Sequence, residues 1–307
     1  MSILMPQLAQ RIFEQPLLMH PGKAAAALLS IGGRIIEGGV VLEAASLAHT
    51  AFENGRPSAG RLSDSLGRRY DSEGLLPFAI VDRAAIIPVE GTLVHKGGYV
   101  GMSSGSTSYQ GMQVQITRAA KAYGASQIKG AVFEIDSFGG EVAGAFETAS
   151  LIRQLSALMP TMAILTDHAL SSGYLMASGS RQIVMPQHGL AGSIGVIQLH
   201  LDRSDQLEQQ GVKVTVLAAG KHKADLNPFE ALGEETATRM LARLESARVS
   251  FAEAVAAGRG PRFNKAAALA TEAQSYAGDD ALRLGLVDAI ADSGAAFAAF
   301  LKEINRA

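Results

Sequence analysis

The sequence has no cysteine. That absence removes a thiolate nucleophile, thiolate metal sites and disulfides from consideration, and it fits a reducing compartment. An excess of either charge is also lacking: 27 basic residues stand against 29 acidic ones, a formal net charge of -2. No Lys/Arg stripe interleaved with aromatics marks a phosphate track, so nucleic acid is not an expected partner. Long apolar runs are missing too. The best, from Ala24 to Ile31, breaks into glycines and Arg34, far short of the roughly 20 residues that span a bilayer. The start shows no basic region followed by an apolar run and a small-residue cleavage site. These features predict a cytoplasmic chain with no membrane anchor, not a secreted one.

What is present points to a folded α/β protein. At 307 residues, 48% hydrophobic and 18% charged, the chain has enough apolar material for one large core and at most one appendage. Residues 1–75 combine an apolar stretch around Leu17 to Leu42 with a polar, Gly- and Ser-containing segment from Asn54 to Gly74. They read as an N-terminal arm and linker, and residues 76–307 as the main domain. In the latter, short apolar runs recur: Ala84 to Gly91, Gly130 to Asp136, Thr161 to Thr166, Arg181 to Met185, Gly195 to His200 and Val212 to Leu217. Most are bounded by Gly, Pro or Asp, as buried strands are. Between them lie helical patterns, such as Val142 to Leu155 with Val142, Ala145, Phe146, Ala149 and Ile152 on one face. A long helix is expected over about Glu234 to Ala257. This βα alternation predicts a largely parallel sheet covered by helices.

Three segments carry chemistry. In IDSFGGEVAG, residues 135–144, a buried strand is expected to end in a two-glycine turn with a helix directly after it. Bare N–H groups and a helix N-terminus there would suit an oxyanion, although an ordinary βα turn has the same look. The segment has no Gly-Lys-Ser/Thr and no third glycine at dinucleotide spacing. In DHALSSGYLMASGS, residues 167–180, a strand ends at Thr166 and a small-residue helix starts near Ser171. Ser171 there is either an exposed nucleophile with the Ser172 N–H beside it or a plain N-cap. The pattern is not Gly-x-Ser-x-Gly, so it gives no support to an α/β-hydrolase elbow. In AGKHKADLNP, residues 219–228, Lys221, His222 and Lys223 read as solvated charges by themselves. A lysine serves as a base only where a dry site lowers its pKa from about 10.4 toward about 7 to 8.

The order and spacing of these segments resemble the signal peptide peptidase A family of serine peptidases, and within it the head-maturation proteases of tailed phages. The resemblance runs from about Ala84 to Asp288 through VEGTLV, DSFGG, ALSSGY, the expected hairpin AGSIGV (Ala191 to Val196), GKHKADLNP and YAGDDALRLGLVD. The start, especially FEQPLLMHPGKAAA, also looks like the phage enzymes. The resemblance implies a Clp protease/crotonase-like fold and a Ser-Lys dyad, with Ser171 as nucleophile and Lys223 as base. It also implies oxyanion donors at the N–H groups of Gly139 and Ser172, and Ser193 as the group that orients the lysine. Phe138 stands where the family often has proline. No cofactor or metal is implied. The implied substrates are proteins, in particular capsid scaffold, portal and capsid proteins within the host cytoplasm or a procapsid, and the implied state is a homo-oligomer. Rival readings are a general signal-peptide-peptidase-like protease, a Ser-His-Asp triad using His168, His188, His200 or His222, a crotonase-like acyl-CoA enzyme, and a non-catalytic capsid component.

Overall fold

The computed structural model describes residues 16–21, 64–103 and 105–306; the rest of the expected arm, residues 1–15 and 22–63, lies outside the described residues. Eleven strands join in one sheet among the described residues. They are β1 (Leu17–Met19), β2 (Ala79–Val81), β3 (Ala84–Val94), β4 (Met102–Ser103), β5 (Ser106–Ser108), β6 (Gly130–Glu141), β7 (Thr161–Leu170), β8 (Gln182–Met185), β9 (Leu190–Gly192), β10 (Ser275–Ala277) and β11 (Ala289–Ile290). The helices are α1 (Ser65–Glu73), α2 (Tyr109–Gly124), α3 (Ala145–Leu158), α4 (Ser172–Ser178), α5 (Ser204–Gln209), α6 (Glu234–Arg259), α7 (Lys265–Ala270), α8 (Gly278–Leu284) and α9 (Ser293–Arg306).

The centre of the sheet, β3, β6 and β7, is parallel, and both of its faces are covered. Alternation within each strand divides the side chains: Ala131, Phe133, Ile135, Ala163 and Leu165 enter the core under α2 and α3, while Val132, Met162 and Ile164 meet Phe300 and Ile304 of α9. Strands covered on both sides read as continuous apolar runs, which is why they are legible in the sequence. Antiparallel pairs are confined to short outer strands: β1 on β6, β2 on β3, β4 on β5 and β9 on β10. The largely parallel α/β sheet with flanking helices is as expected.

The sheet changes direction across one line. Register shifts fall between Glu90 and Thr92 of β3 and between Ile135 and Ser137 on the β6–β7 ladder. Before the shift β7 pairs with β8, and beyond it β7 pairs with β9. Gly91 makes the break with φ +67; a Cβ there would lie 2.3 Å from the Gly105 carbonyl oxygen. The Ser137 hydroxyl fixes it by donating to the Gly91 carbonyl at 2.6 Å. Such irregularities re-aim the residues that follow them.

Four expectations need correction. The strand from Gly130 continues through both glycines to Glu141, and α3 begins only at Ala145, so no helix starts directly on the glycine turn. The strand from Thr161 runs past Thr166 to Leu170. Gly195 to His200 forms no strand, only a bridge at Ile197, so AGSIGV is not a hairpin; β9 turns instead to β10. Val212 to Leu217 is irregular, with Val212, Val214 and Leu217 exposed by 47%, 43% and 91%. Its alternating apolar residues have no neighbouring strand to pair with among the described residues, and a lone strand is not stable in water.

The C-terminal part is tied to the sheet by a buried arginine. Arg259, fully buried, donates to both Asp288 oxygens at 2.8 Å, and Asp288 accepts the Ile183 N–H at 2.8 Å. Burial favours the neutral form of Asp288 and raises its pKa, but the Arg259 hydrogen bonds and charge outweigh it and hold the carboxyl below its usual range. Arg259→Met leaves that carboxylate only the partly exposed Arg262 and the Ile183 N–H and should cost about 3 kcal/mol in urea unfolding, the low end for a broken buried pair because those partners and some solvent contact remain. A depressed folded-state pKa gives stability that is complete above the unfolded value of about 3.9 and is lost as pH falls through the folded one. Wild type should therefore lose more stability than Asp288→Asn on acidification below about pH 5, as read by denaturant midpoints.

Candidate active site

Ser171 occupies the turn between β7 and α4 with φ 54° and ψ −123°. A non-glycine residue in that region is strained by roughly 1–3 kcal/mol and persists only where its surroundings impose it. Here they do: the Ser171 N–H donates to Gly192 O at 2.9 Å, and its carbonyl accepts from Leu175 N at 3.0 Å. The side chain is fully buried, and its Oγ has no hydrogen-bond partner among the described residues. Buried hydroxyls are nearly always satisfied, so an unpaired one in a strained residue is an exception that points to chemistry. It is also more than an N-cap, since it makes no side-chain capping bond.

Gly139 lies directly against it. Its φ is +95°, and a Cβ there would stand 2.9 Å from Ser171 Cβ and 2.1 Å from Leu18 O, so only glycine fits. Its N–H donates to Ser137 Oγ at 3.1 Å. Gly173, at the start of α4, is equally confined, with Ser137 O at 2.8 Å from its would-be Cβ. Ser172 is buried, its hydroxyl near that of Tyr109. The structure thus brings Gly139, Ser171 and Ser172 together on the far side of the bend. Ser193 is close in the chain to the same anchor: it follows Gly192, has φ 55° and donates its N–H to Gln274 O at 2.9 Å.

Lys223 is not brought to Ser171 within this chain. It is exposed in the turn after the irregular segment, its backbone N–H on Gly220 O at 3.1 Å. Its neighbours are engaged: Lys221 pairs with Glu235 at 2.5 Å, and His222 Nδ1 lies 3.2 Å from Asp225. Nor does any histidine bond Ser171, whose Oγ is unpaired. His168 stacks edge-on against Phe138 at 4.8 Å with a buried, unpaired Nδ1, and His200 Nε2 meets Asn227 O at 3.1 Å.

Sequence reading missed three features of the site. The tyrosine of ALSSGY is a tether: the buried Tyr174 hydroxyl donates to Leu286 O at 2.8 Å and joins the serine turn to LGLVD. Burial raises its pKa. The backbone strain at Ser171 has no sequence signal. Leu17–Met19 pairs with Gly139–Glu141, and its short apolar run between Pro16 and Pro21 could have suggested a strand. Among the described residues no helix is long and apolar enough to cross a membrane.

The chain is similar to known proteins. Residues 153–305 match peptidase family S49. The head-tail preconnector protein GP5 of Enterobacteria phage P21 is 33% identical over 95% of this chain and 56% of its own length. Capsid assembly protease C of Escherichia phage lambda is 30% identical over 94% of this chain and 64% of its own. The chain therefore spans little more than half to just under two thirds of these curated relatives. A solved 1510-N membrane protease specific for a stomatin homolog, from Pyrococcus horikoshii, aligns over 69% of this chain and 76% of that one, at 15% identity and a TM-score of 0.37. By the family match, residues 153–305, which include the serine turn, are a peptidase family S49 domain, and the chain is similar to phage capsid assembly proteases and signal peptide peptidase A-type proteases.

Proposed function

We propose that the chain is a serine endopeptidase in which Ser171 is the nucleophile and Lys223 the general base. The observation that carries this reading is the strained, unpaired hydroxyl of Ser171 against Gly139. The neutral lysine takes the Ser171 proton as Oγ attacks a peptide carbonyl, the N–H groups of Gly139 and Ser172 hold the developing oxyanion, and the amine then returns the proton to the leaving nitrogen. The bond from Gly139 to Ser137 Oγ has to give way to that oxyanion. Ser193 orients the amine. Lys223 is the better base than Lys221, whose amine is held by Glu235.

Assembly supplies what the single chain lacks. The segment that carries Lys223 presents Val212, Val214, Leu217 and Phe229 to solvent, and clustered exposed apolar side chains mark a contact surface. A second copy packed there would dry the lysine and complete the enclosure in a homo-oligomer. Capsid scaffold, portal and capsid proteins are the proposed substrates, in the host cytoplasm or procapsid interior, with residues 1–75 as an arm on the 76–307 peptidase domain. The names of the two phage relatives support this choice over general peptide or signal-peptide hydrolysis.

Ser171→Ala and Lys223→Ala should each reduce cleavage of a protein substrate by at least about a thousandfold, while Lys221→Ala and His168→Ala keep most of it. Loss with His168→Ala and none with Lys223→Ala would replace the dyad by a triad. Light scattering should find an oligomer that Leu217→Asp dissociates, with activity falling in parallel; a fully active wild-type monomer contradicts the assembly.

A further inference from the structure

A nucleophile that is fully buried cannot meet a polypeptide until something leaves. Packed beside Ser171, on the other side of Gly139, is the chain's own strand β1. It runs antiparallel to the end of β6, with Leu17 opposite Glu141, Leu18 opposite Gly140 and Met19 opposite Gly139, and His20 N–H adds a bond to Phe138 O at 2.9 Å. Its other edge is bonded as well: Leu17 N–H donates to Ile197 O at 2.7 Å, and Ile197 N–H donates to Leu17 O at 3.0 Å. The position opens because β7 last pairs with β6 at Ser137 and then turns into Ser171, which leaves the edge of Gly139–Glu141 unpaired. Free strand edges accept extended peptides by main-chain hydrogen bonding.

The Leu18 carbonyl oxygen and Ser171 Cβ flank one point, 2.1 and 2.9 Å from where a Cβ on Gly139 would be. The Leu18–Met19 peptide group therefore sits beside the nucleophile and the glycine. Leu17 and Leu18 are both buried, Leu18 completely.

We propose that Leu17–Met19 occupies the peptide groove of the enzyme in cis, so that the full chain is held closed until this strand is displaced. The inference rests on the serine-peptidase reading of Ser171. The polypeptide that replaces β1 is an extended segment bonded between Gly139–Glu141 and Ile197. It presents bulky apolar side chains at the two positions held by Leu17 and Leu18, and it has no proline at the first, because Ile197 O requires an N–H there.

The test uses the full chain, its Leu17→Pro and Leu18→Asp variants, a fluorescent peptide with the sequence of residues 14–22, and a fluorophosphonate that labels a reactive serine. Vacating the groove raises the competent fraction, so both variants should bind the peptide at least about tenfold more tightly than wild type, and Ser171 should label faster by a similar factor. Variants that keep the wild-type circular dichroism but neither bind more tightly nor label faster overturn the proposal. Hydrogen exchange on wild type needs no variant: the Leu17 and His20 amides should exchange slowly and speed up with saturating peptide, and fast exchange without peptide overturns it equally. Tighter peptide binding in the variants with no labelling of Ser171 in any form would refute the serine-peptidase reading and leave the occupied groove standing. Equal labelling of wild type and variants would do the reverse.

Discussion

The approach of the β6 backbone to Ser171 at Gly139 is the contact on which the rest of the site depends. Three chain segments meet there at distances that exclude even a methyl group: Gly139 itself, the Ser171 turn and the Leu18 carbonyl. The strand can come so close only because the sheet bends one turn earlier, at Gly91 and Ser137. Ser137 serves both sides of the bend, donating to Gly91 O and accepting from Gly139 N–H. The parallel core thus provides rigidity up to the bend, and the short ladders beyond it provide the geometry.

Strain of this kind has to be held by its neighbourhood. The Ser171 turn is held along the backbone by Gly192 O and Leu175 N–H. It is also held through α4, whose Tyr174 reaches Leu286 O. The segment around Leu286 is fixed in turn by Arg259, which bonds both Gly285 O and Asp288. This chain of contacts explains why ALSSGY and LGLVD, more than a hundred residues apart, both belong to the recognisable pattern: one presents the serine and the other stops it from relaxing. The tyrosine joins them, and the arginine that fixes the second is fully buried, where an unpaired charge would be prohibitive.

The segment from Gly195 to Leu217 behaves differently. Outside helix α5 it has strand-like composition but forms no ladder among the described residues, only the single bridge from Ile197 to Leu17, and it leads to Lys223 on an exposed turn. A single chain therefore holds one half of the proposed dyad buried and unpaired, and the other half solvated. Proposed assembly and proposed displacement of β1 act on these two halves separately.

Ser171, the glycine pair and the lysine loop were legible in the sequence because each is a local pattern: a small-residue helix start, a close backbone approach, a charged loop after an apolar run. The parallel sheet was legible because strands buried on both faces must be continuously apolar. Pairing was not legible. Periodicity gives Val212 to Leu217 the look of a strand, but only the fold decides whether a neighbour is present, and the same holds for Leu17–Met19, which does find one. The extension of β6 through Gly139 and Gly140 depends on β1 and β3 on its two edges, residues far away in the chain. The sequence by itself thus determined which residues are candidates for the chemistry and which runs form the parallel core of the sheet. Tertiary structure decided the strained φ of Ser171, the pairing of Leu17–Met19 with Gly139–Glu141 and the exposure of Lys223, because each depends on which distant backbone edges meet.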